Sequence, residues 1–117
     1  MKDTITFEDF LKLDIRVGLI TAAEPVPKSK KLLKLQVDFG TEIGVRTILA
    51  GIAGPDPVAK SLNLALQKPK VLAVVNLAPR MMMGIESHGM LLASHDDLDL
   101  IWLTTVNSTV PNGSEVS

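Results

Sequence analysis

The segment 33–39 alternates apolar and polar residues at every step, and this pattern constrains the fold more than any other feature of the chain. A period of two predicts a β-strand with one buried face. Residues 40–44 begin and end with glycine, and the next segment, 45–50, is again rich in aliphatic and β-branched residues. Together these features predict an antiparallel hairpin.

The beginning of the chain predicts a short helix followed by a strand. Thr6 precedes an acid at position 9, which is a helix-capping pattern, and the helix is expected to end near Asp14 after about two turns. The segment 15–19 then alternates apolar residues with polar residues or glycine, as a half-buried strand does. Pro25 and Pro27 are expected to end this strand, because proline lacks the backbone donor of the ladder.

The second half predicts one more helix and several strands. Asp56 followed by Pro57 is a helix cap with proline at the first helical position, so a helix is expected over 58–66. The segment 71–77 is apolar on both faces and is expected to be the most buried strand. Further strands are predicted over 90–94 and 98–104. The tail 110–113 predicts a turn and a final edge pairing.

This element order predicts an all-β fold with short helices. Five strands with a helix between the third and the fourth is the order of the OB-fold, a five-stranded Greek-key barrel. At 117 residues the chain is expected to form one domain, 1–117. Three phenylalanines and one tryptophan are its only aromatic residues, so the core is expected to be aliphatic.

Composition disfavours several classes of protein. A net charge of −1 argues against a broadly basic nucleic-acid binder. The chain has no cysteine, which removes disulfides, thiolate nucleophiles and cysteine-bound metals and fits a cytoplasmic protein. No signal peptide is recognised at the start, and no apolar run approaches the roughly 18 residues of a membrane span. A cytoplasmic protein without a membrane partner is therefore expected.

The segment 76–94 is the first candidate for a functional surface. It carries an amide (Asn76), a permanent cation (Arg80), a hydroxyl (Ser87) and a thioether (Met90). Pro79 restricts the turn and orients the arginine fork, which suits phosphate or a base edge. Residues 81–83 are all methionine and cannot all face inward, so at least one is expected to be exposed. No nucleophile–base pair is present, so binding without catalysis is predicted; alternatively, Ser87 and Met90 are a turn hydroxyl and a core methionine.

The second candidate is the lysine-rich segment before the strand 33–39. Positive charge concentrates in residues 28–46 and negative charge in residues 86–99. Lysines at this place would neutralise phosphates and make affinity salt dependent. The alternative is an ordinary solvated loop. The cations are Lys28, Lys30, Lys31, Lys34 and Arg46, and the acids at 86–99 are Glu86, Asp96, Asp97 and Asp99.

Metal and cofactor sites are not predicted, and the scarcity of aromatics narrows the kind of nucleic acid. His88 and His95 lie near acids, but their spacing matches no metal-ligand pattern. Proteins that bind single strands stack the bases on aromatic side chains, of which this chain has almost none. If the chain binds nucleic acid, the expected partner is a folded RNA recognised by its shape and backbone.

With these residues considered, the chain resembles the tRNA-binding domain that occurs at the C-terminus of methionyl-tRNA synthetases, as a synthetase β-type subunit and as free-standing proteins. The resemblance covers almost the whole chain. It is carried by residues 10–18, 30–35, 37–40, 46–48 and 50–52, and most specifically by 76–80 (NLAPR), 83–87 (MGIES) and 89–91 (GML).

The resemblance implies an OB-fold, a homodimer when free-standing, and structure-specific tRNA binding without catalysis or cofactors; whether an aminoacyl-tRNA synthetase is a further partner is left open by the sequence. It also implies that Lys28, Lys31, Lys34, Asn76, Arg80, Ser87 and Met90 lie on the binding face. One departure is Met81, where the family commonly has a basic residue after Pro79 and Arg80. The segments 38–44 and 110–113 resemble the related CsaA-like proteins, proposed as secretion chaperones. The alternatives are therefore such a chaperone or a dimerisation module without an RNA role.

Overall fold

A computed structural model describes residues 1–98 and 100–117. Asp99, one of the acids of the segment 86–99, lies outside the described residues. Within these two ranges the chain is mostly β, with two short helices. The helices are α1 (Phe7–Leu11) and α2 (Pro57–Gln67), and the strands are β1 (Ile15–Pro25), β2 (Leu33–Asp38), β3 (Val45–Ala50), β4 (Lys70–Val74), β5 (Arg80–Met82), β6 (Ile85–Ser87), β7 (Met90–Leu91), β8 (Ala93–His95), β9 (Ile101–Leu103) and β10 (Glu115–Val116).

Five strands form an antiparallel sheet in the order β3-β2-β1-β4-β7. The strands β1, β2 and β3 follow one another, and β4 returns to pair with β1, which is a Greek-key arrangement. The sheet curls until β3 lies beside β6 and β7, and the carbonyl of Thr47 in β3 accepts a 2.9 Å hydrogen bond from the backbone N–H of His88. The result is a nearly closed five-stranded barrel, consistent with the predicted OB-fold.

The predicted hairpin at 33–50 is confirmed and supplies much of the core. Every second residue of β2 is buried, and its register with β3 pairs Leu33 with Ala50 and Asp38 with Val45. Phe39 ends the buried row and lies against Gly18 of β1. A Cβ at Gly18 would lie 2.5 Å from Cγ1 of Val37 and 2.6 Å from Cε1 of Phe39, so β1 crosses the core closely only because this residue is glycine.

The strand β1 is longer than the alternation at 15–19 predicted. Ile15 and Val17 are buried as expected, but Leu19 is half-buried and Ile20 takes the core position. The register with β2 then shifts between Ile20 and Ala22. Such a bulge bends a strand, and here it lets β1 pair with β4 over its first half and with β2 over its second.

The helix starts are confirmed, whereas the end of α1 is not where the pattern placed it. Thr6 and Asp9 form a reciprocal capping box, and Asp56 caps α2 with Pro57 at its first position. The helix α1 ends at Leu11 instead of near Asp14. The reason is tertiary: the backbone N–H of Asp14 donates to Oδ1 of Asn76 at 2.9 Å and is no longer available to a helix.

Three predicted strands differ in detail. The strand β4 ends at Val74, short of the predicted 77, and three of its five residues, Val71, Ala73 and Val74, are buried. The predicted strand 90–94 is divided at Leu92, which bonds through its N–H to Leu72 and through its carbonyl to Thr104. The strand β9 is shorter than the predicted 98–104 and pairs with β8. A final strand pairing is present, but it lies beyond the predicted 110–113, because β10 (Glu115–Val116) pairs with β1.

No helix in the described ranges is both long enough and apolar enough to cross a membrane.

Candidate nucleic-acid interface

Both candidate segments lie in connections of the barrel that OB-folds use for binding. The lysine-rich residues follow β1 and precede β2, and the 76–94 segment starts in the connection between the fourth and fifth barrel strands, β4 and β7. In OB-folds these two loops flank the face of the second and third strands, where oligonucleotides bind. The fold therefore places the two candidates around one expected binding face.

The lysine loop, residues 26–32, has a fixed backbone and free side chains. The hydroxyl of Ser29 accepts hydrogen bonds from the N–H groups of Lys31 (3.3 Å) and Leu32 (3.1 Å), and the carbonyl of Lys31 accepts one from Ala53 (3.1 Å). Lys28 takes a positive φ of 66° at the turn. The side chains of Lys28, Lys30 and Lys31 are exposed, and no ion pair holds them in the part of the chain that the structure describes.

Lys34 extends this charge onto the barrel face. It lies in β2 opposite Leu49 of β3, and its ammonium is 3.4 Å from a carboxylate oxygen of Glu24. The Lys34 side chain is 33% exposed and that of Glu24 is 65% exposed, so solvent screens the pair and it holds the lysine weakly.

Arg80 and Ser87 face each other across a hairpin that the sequence did not predict. The strands β5 and β6 pair Arg80 with Ser87 and Met82 with Ile85. Their turn has positive φ at both Met83 (51°) and Gly84 (76°), which matches a tight two-residue hairpin turn. Strands of three residues are too short to show a period, so only the turn chemistry signals them.

Alternation along this hairpin separates the methionines. Met81 is on the opposite face from Arg80 and Met82, since successive residues of a strand point to opposite faces. Met81 and Met83 are exposed and Met82 is half-buried, which confirms that the three methionines do not all face inward. Arg80 itself is exposed and forms no ion pair within the described residues.

Ser87 is buried, and its hydroxyl joins the hairpin to the barrel. Its Oγ accepts a 2.9 Å hydrogen bond from the backbone N–H of Leu49 in β3, and the residue is 4% exposed. The barrel closes at this point, because the next residue, His88, bonds to Thr47. Ser87 is therefore a structural hydroxyl at the barrel edge as well as a candidate contact.

A depression of about 230 Å³ brings three of the predicted residues together. Arg80, Ser87 and Met90 all line it. The other lining residues were not among the predicted site residues: Leu49 lies outside the segment 76–94, opposite Lys34 in the observed register of β2 and β3, and the rest lie within that segment. These others are Leu49, Leu77, Ala78, Met82 and Gly89.

Asn76 and Arg46 are engaged elsewhere. The Asn76 amide accepts from the N–H of Asp14 and donates to the carbonyl of Lys12 at 2.7 Å, which ties the end of β4 to the segment after α1. Arg46 lies opposite Val37 on the inner face of the hairpin, and its Nη1 donates to the carbonyl of Val75 at 2.5 Å. Their assignment to RNA binding stays a prediction, and neither lines the depression at Arg80.

The acids and histidines do not form a metal site in the described ranges, where no group of three His, Cys, Asp or Glu side chains is close enough to hold an ion. Asp96 instead folds the loop between β8 and β9. Hydrogen bonds from the backbone N–H of Leu100 and then of Leu98 lower the pKa of its carboxyl group below the ordinary value.

Comparison with known proteins places the chain among proteins related to methionyl-tRNA synthetase. Residues 15–115 match the family described as "Putative tRNA binding domain". The chain is 48% identical over 98 residues to a methionine–tRNA ligase of Methanococcoides burtonii, covering 84% of this chain and 14% of that protein. A second methionine–tRNA ligase, from Flavobacterium johnsoniae, is 41% identical over 99% of this chain and 15% of its own length. The chain thus spans only about a seventh of these relatives.

Two solved structures superpose over nearly the whole chain. A protein related to methionyl-tRNA synthetase from Pyrococcus horikoshii has a TM-score of 0.84 at 35% identity, covering 99% of this chain and 100% of that one. The chaperone CsaA of Bacillus anthracis has a TM-score of 0.80 at 30% identity, covering 98% and 100%. The resemblance predicted from the sequence is confirmed, and the chain belongs to the tRNA-binding domain family shared by methionyl-tRNA synthetases and CsaA-like proteins.

Proposed function

We propose that this chain is a non-catalytic, structure-specific tRNA-binding protein that acts in the cytoplasm, either free-standing or as an accessory subunit of an aminoacyl-tRNA synthetase. One observation carries the proposal. Lys28, Lys30, Lys31 and Arg80 are exposed and without carboxylate partners in the described ranges, and they lie on the two loops that flank an OB-fold binding face. In a chain of net charge −1, such cations favour an anionic partner at this face.

Folded RNA fits this surface better than a flexible strand. The aromatic residues of the chain are too few for a stacking platform, and the one outside the core and the helix α1, Trp102, belongs to β9 and not to the loops described above. Recognition therefore rests on phosphates and shape. Met81 leaves the hairpin one cation short of the usual family pattern, which is consistent with a weak, strongly salt-dependent complex.

Filter-binding titrations test this proposal directly. Unfractionated tRNA and an unstructured RNA of equal length are each titrated at two salt concentrations. We expect tighter binding to tRNA and a loss of affinity at the higher salt. Equal or tighter binding of the unstructured RNA contradicts the structure-specific role.

We further propose that the protein acts as a homodimer. The two ends of the chain meet at a cavity lined by Phe10, Leu13, Ile15 and Val116, and Phe7 and Leu11 nearby are exposed. Apolar surface of this kind is typical of a subunit interface.

Light scattering at micromolar concentration is expected to give twice the chain mass. Phe7→Ser should shift it to the monomer, whereas the matched control Leu66→Ser, on the exposed face of α2, should not; a monomeric parent protein contradicts the dimer.

A chaperone role is the second candidate, and the likeness to CsaA of Bacillus anthracis favours it. A chaperone of this class would bind unfolded clients through apolar surface. Suppressed aggregation of an unfolded client, together with no binding of either RNA, supports this alternative. If the lysine loop proves dispensable and no client is protected, a dimerisation module without an RNA role remains.

A further inference from the structure

We propose that the depression between β3 and the β5–β6 hairpin receives a single unpaired nucleobase of the RNA, while Arg80 binds the adjoining phosphate. This inference rests on the proposed tRNA-binding function and specifies what the hairpin contributes to it. The lysine loop supplies phosphate contacts that every folded RNA satisfies, so a base-sized subsite is the feature that selects among RNA surfaces.

The size of the depression suits one flat group. Its volume is about 230 Å³. Pockets for drug-sized ligands start at roughly 300 Å³, so the depression takes a smaller molecule, and a duplex or a run of stacked bases does not fit in it. A single base that projects from a loop of a folded RNA does, because such bases are unstacked and available.

The walls of the depression match the chemistry of a base. Leu49 is an apolar part of the lining, and the thioether side chains of Met82 and Met90 also line the depression. Sulfur atoms of methionine make favourable contacts with aromatic rings, and their flexible chains adapt to rings of different size. This gives a contact for a base face in a protein whose loops lack aromatic side chains.

The Ser87 hydroxyl provides a polar contact at the edge of the ring. A hydroxyl group has one donor and two acceptor positions. Ser87 uses an acceptor position for the N–H of Leu49, and within the described residues it donates to nothing. Its hydrogen is therefore free for an acceptor on a base, and the Leu49 bond keeps the oxygen in place.

At Gly89, another lining residue, the chain packs closely against the barrel. Gly89 has a φ of 126°, and a Cβ there would lie 3.2 Å from Cδ1 of Ile48 and 3.3 Å from the carbonyl oxygen of Val74. The chain therefore packs flat on the barrel at this residue. Preorganisation of this kind lowers the cost of binding a small group.

Cationic side chains lie in the lining of the depression and beside it. Arg80 is part of its lining, and Lys34 lies opposite Leu49 on the neighbouring strand. An RNA strand has a phosphate on each side of every nucleotide, so a base in the depression brings phosphate charge to this cationic part of the surface. The arginine fork holds a phosphate through two parallel hydrogen bonds, which fixes the position of the base as well as its charge.

Two measurements test the subsite. The first records backbone amide NMR shifts of the parent protein with adenosine monophosphate and with ribose 5-phosphate. We expect the nucleotide to shift the amides of Leu49, Ser87 and Met90, and ribose 5-phosphate to shift these three much less. Equal shifts with both probes overturn the base contact, because phosphate alone then explains them. Shifts at the same amides with N-acetyl-leucinamide and none with the nucleotide also overturn it.

The second measurement compares two methionine variants in tRNA binding. Met90→Ala removes a wall of the depression and should weaken tRNA binding by roughly 2- to 10-fold. Met81→Ala is the matched control, because Met81 is 64% exposed on the opposite face of the hairpin, and it should bind like the parent. If the parent binds tRNA and the two variants bind equally, the subsite is wrong while the proposed function stands. If the parent does not bind tRNA at all, the proposed function itself fails.

Discussion

Arg16 and Arg80 carry the same charge in opposite surroundings. The guanidinium of Arg16 contacts Asp14 at 2.6 Å, Glu115 at 3.1 Å and Glu42 at 3.5 Å, and it donates to the carbonyl of Gly113 at 3.1 Å. Its side chain is 11% exposed. Arg80 is exposed on a hairpin and pairs with no carboxylate in the described ranges.

The difference separates a cation that holds the fold from a cation available to a partner. Arg16 joins the start of β1 to the tail that carries β10, so its charge is already neutralised by residues of the chain itself. Arg80 retains its charge for a ligand. The sequence made Arg80 a candidate because of its turn, but it did not reveal that Arg16 is neutralised, because Glu42 and Glu115 are distant in the chain.

The largest expected effect concerns Arg16. Arg16→Ala removes the cation shared by three acids and should lower the melting temperature by several degrees, because the carboxylates of Asp14 and Glu115 are left without it. The pKa of Arg16 is raised, first by its hydrogen bond to Asp14. A raised arginine pKa keeps this contribution present throughout the neutral range, since it is lost only as pH rises through that value. Thermal unfolding followed by circular dichroism measures it.

Arg80→Ala is the control for that experiment and should melt like the parent. Similar melting temperatures for the parent, Arg16→Ala and Arg80→Ala contradict this contrast, because Arg16 would then stabilise the fold no more than a solvated cation does. Arg16→Lys sharpens it: lysine keeps the charge but lacks the planar fork that meets both oxygens of Asp14, so an intermediate melting temperature is expected.

The second effect is on tRNA binding, for which Arg80 and not Arg16 is the residue expected to matter. Arg80→Ala should weaken tRNA binding by about 1–3 kcal/mol, and the loss should persist at higher salt because paired hydrogen bonds add to the charge. Arg80→Lys should recover only the salt-sensitive part of the loss. Filter binding at two salt concentrations separates the two parts. Parent-like affinity of a folded Arg80→Ala protein shows that the hairpin is not part of the site.

The fold could be predicted further than the site. The alternation of β2 and the cap at Asp56 and Pro57 are local patterns, and the structure confirms them. The hairpin of β5 and β6 was missed because three-residue strands carry no period. The register shift in β1 depends on which strands pair with the two sides of β1, and the residues of β1 alone do not specify those strands.

The roles of polar side chains were hardest to predict because their partners are distant in the sequence. Asn76 bonds to a residue 62 positions away, and Arg46 to a carbonyl 29 positions away. Both residue types suggest RNA contacts in isolation. Only the closed barrel reveals that these two groups are already bonded, whereas the lysines at 28, 30 and 31 are exposed as their loop predicted.

The third effect is a small change in the free energy of tRNA binding, and it is recognised by the salt dependence of binding. Lys31→Ala removes a point charge from the lysine loop, and it should reduce the slope of log K against log salt by roughly 0.7–0.9 for one phosphate contact. Lys2→Ala, an exposed lysine near the chain start, is the matched control and should leave the slope unchanged. The slopes come from titrations at several salt concentrations. Identical slopes for Lys31→Ala and the parent indicate that Lys31 is solvated and contacts no phosphate of the RNA.

The smallest effect belongs to Lys34. Its ammonium has one exposed carboxylate partner, so its charge is neutralised more than that of Arg80 and less than that of Arg16. Glu24→Gln removes the carboxylate at 3.4 Å and leaves the lysine charge to the RNA. Exposed ion pairs are worth about 0.2–1 kcal/mol, so tRNA binding at low salt should tighten by no more than this amount. Glu8→Gln also removes one negative charge, but from α1, and should change affinity less. If both variants tighten binding equally, net charge explains the gain. A gain in affinity confined to Glu24→Gln indicates that a neighbouring carboxylate weakens the attraction between a cation and the RNA, as the contrast between Arg16 and Arg80 predicts.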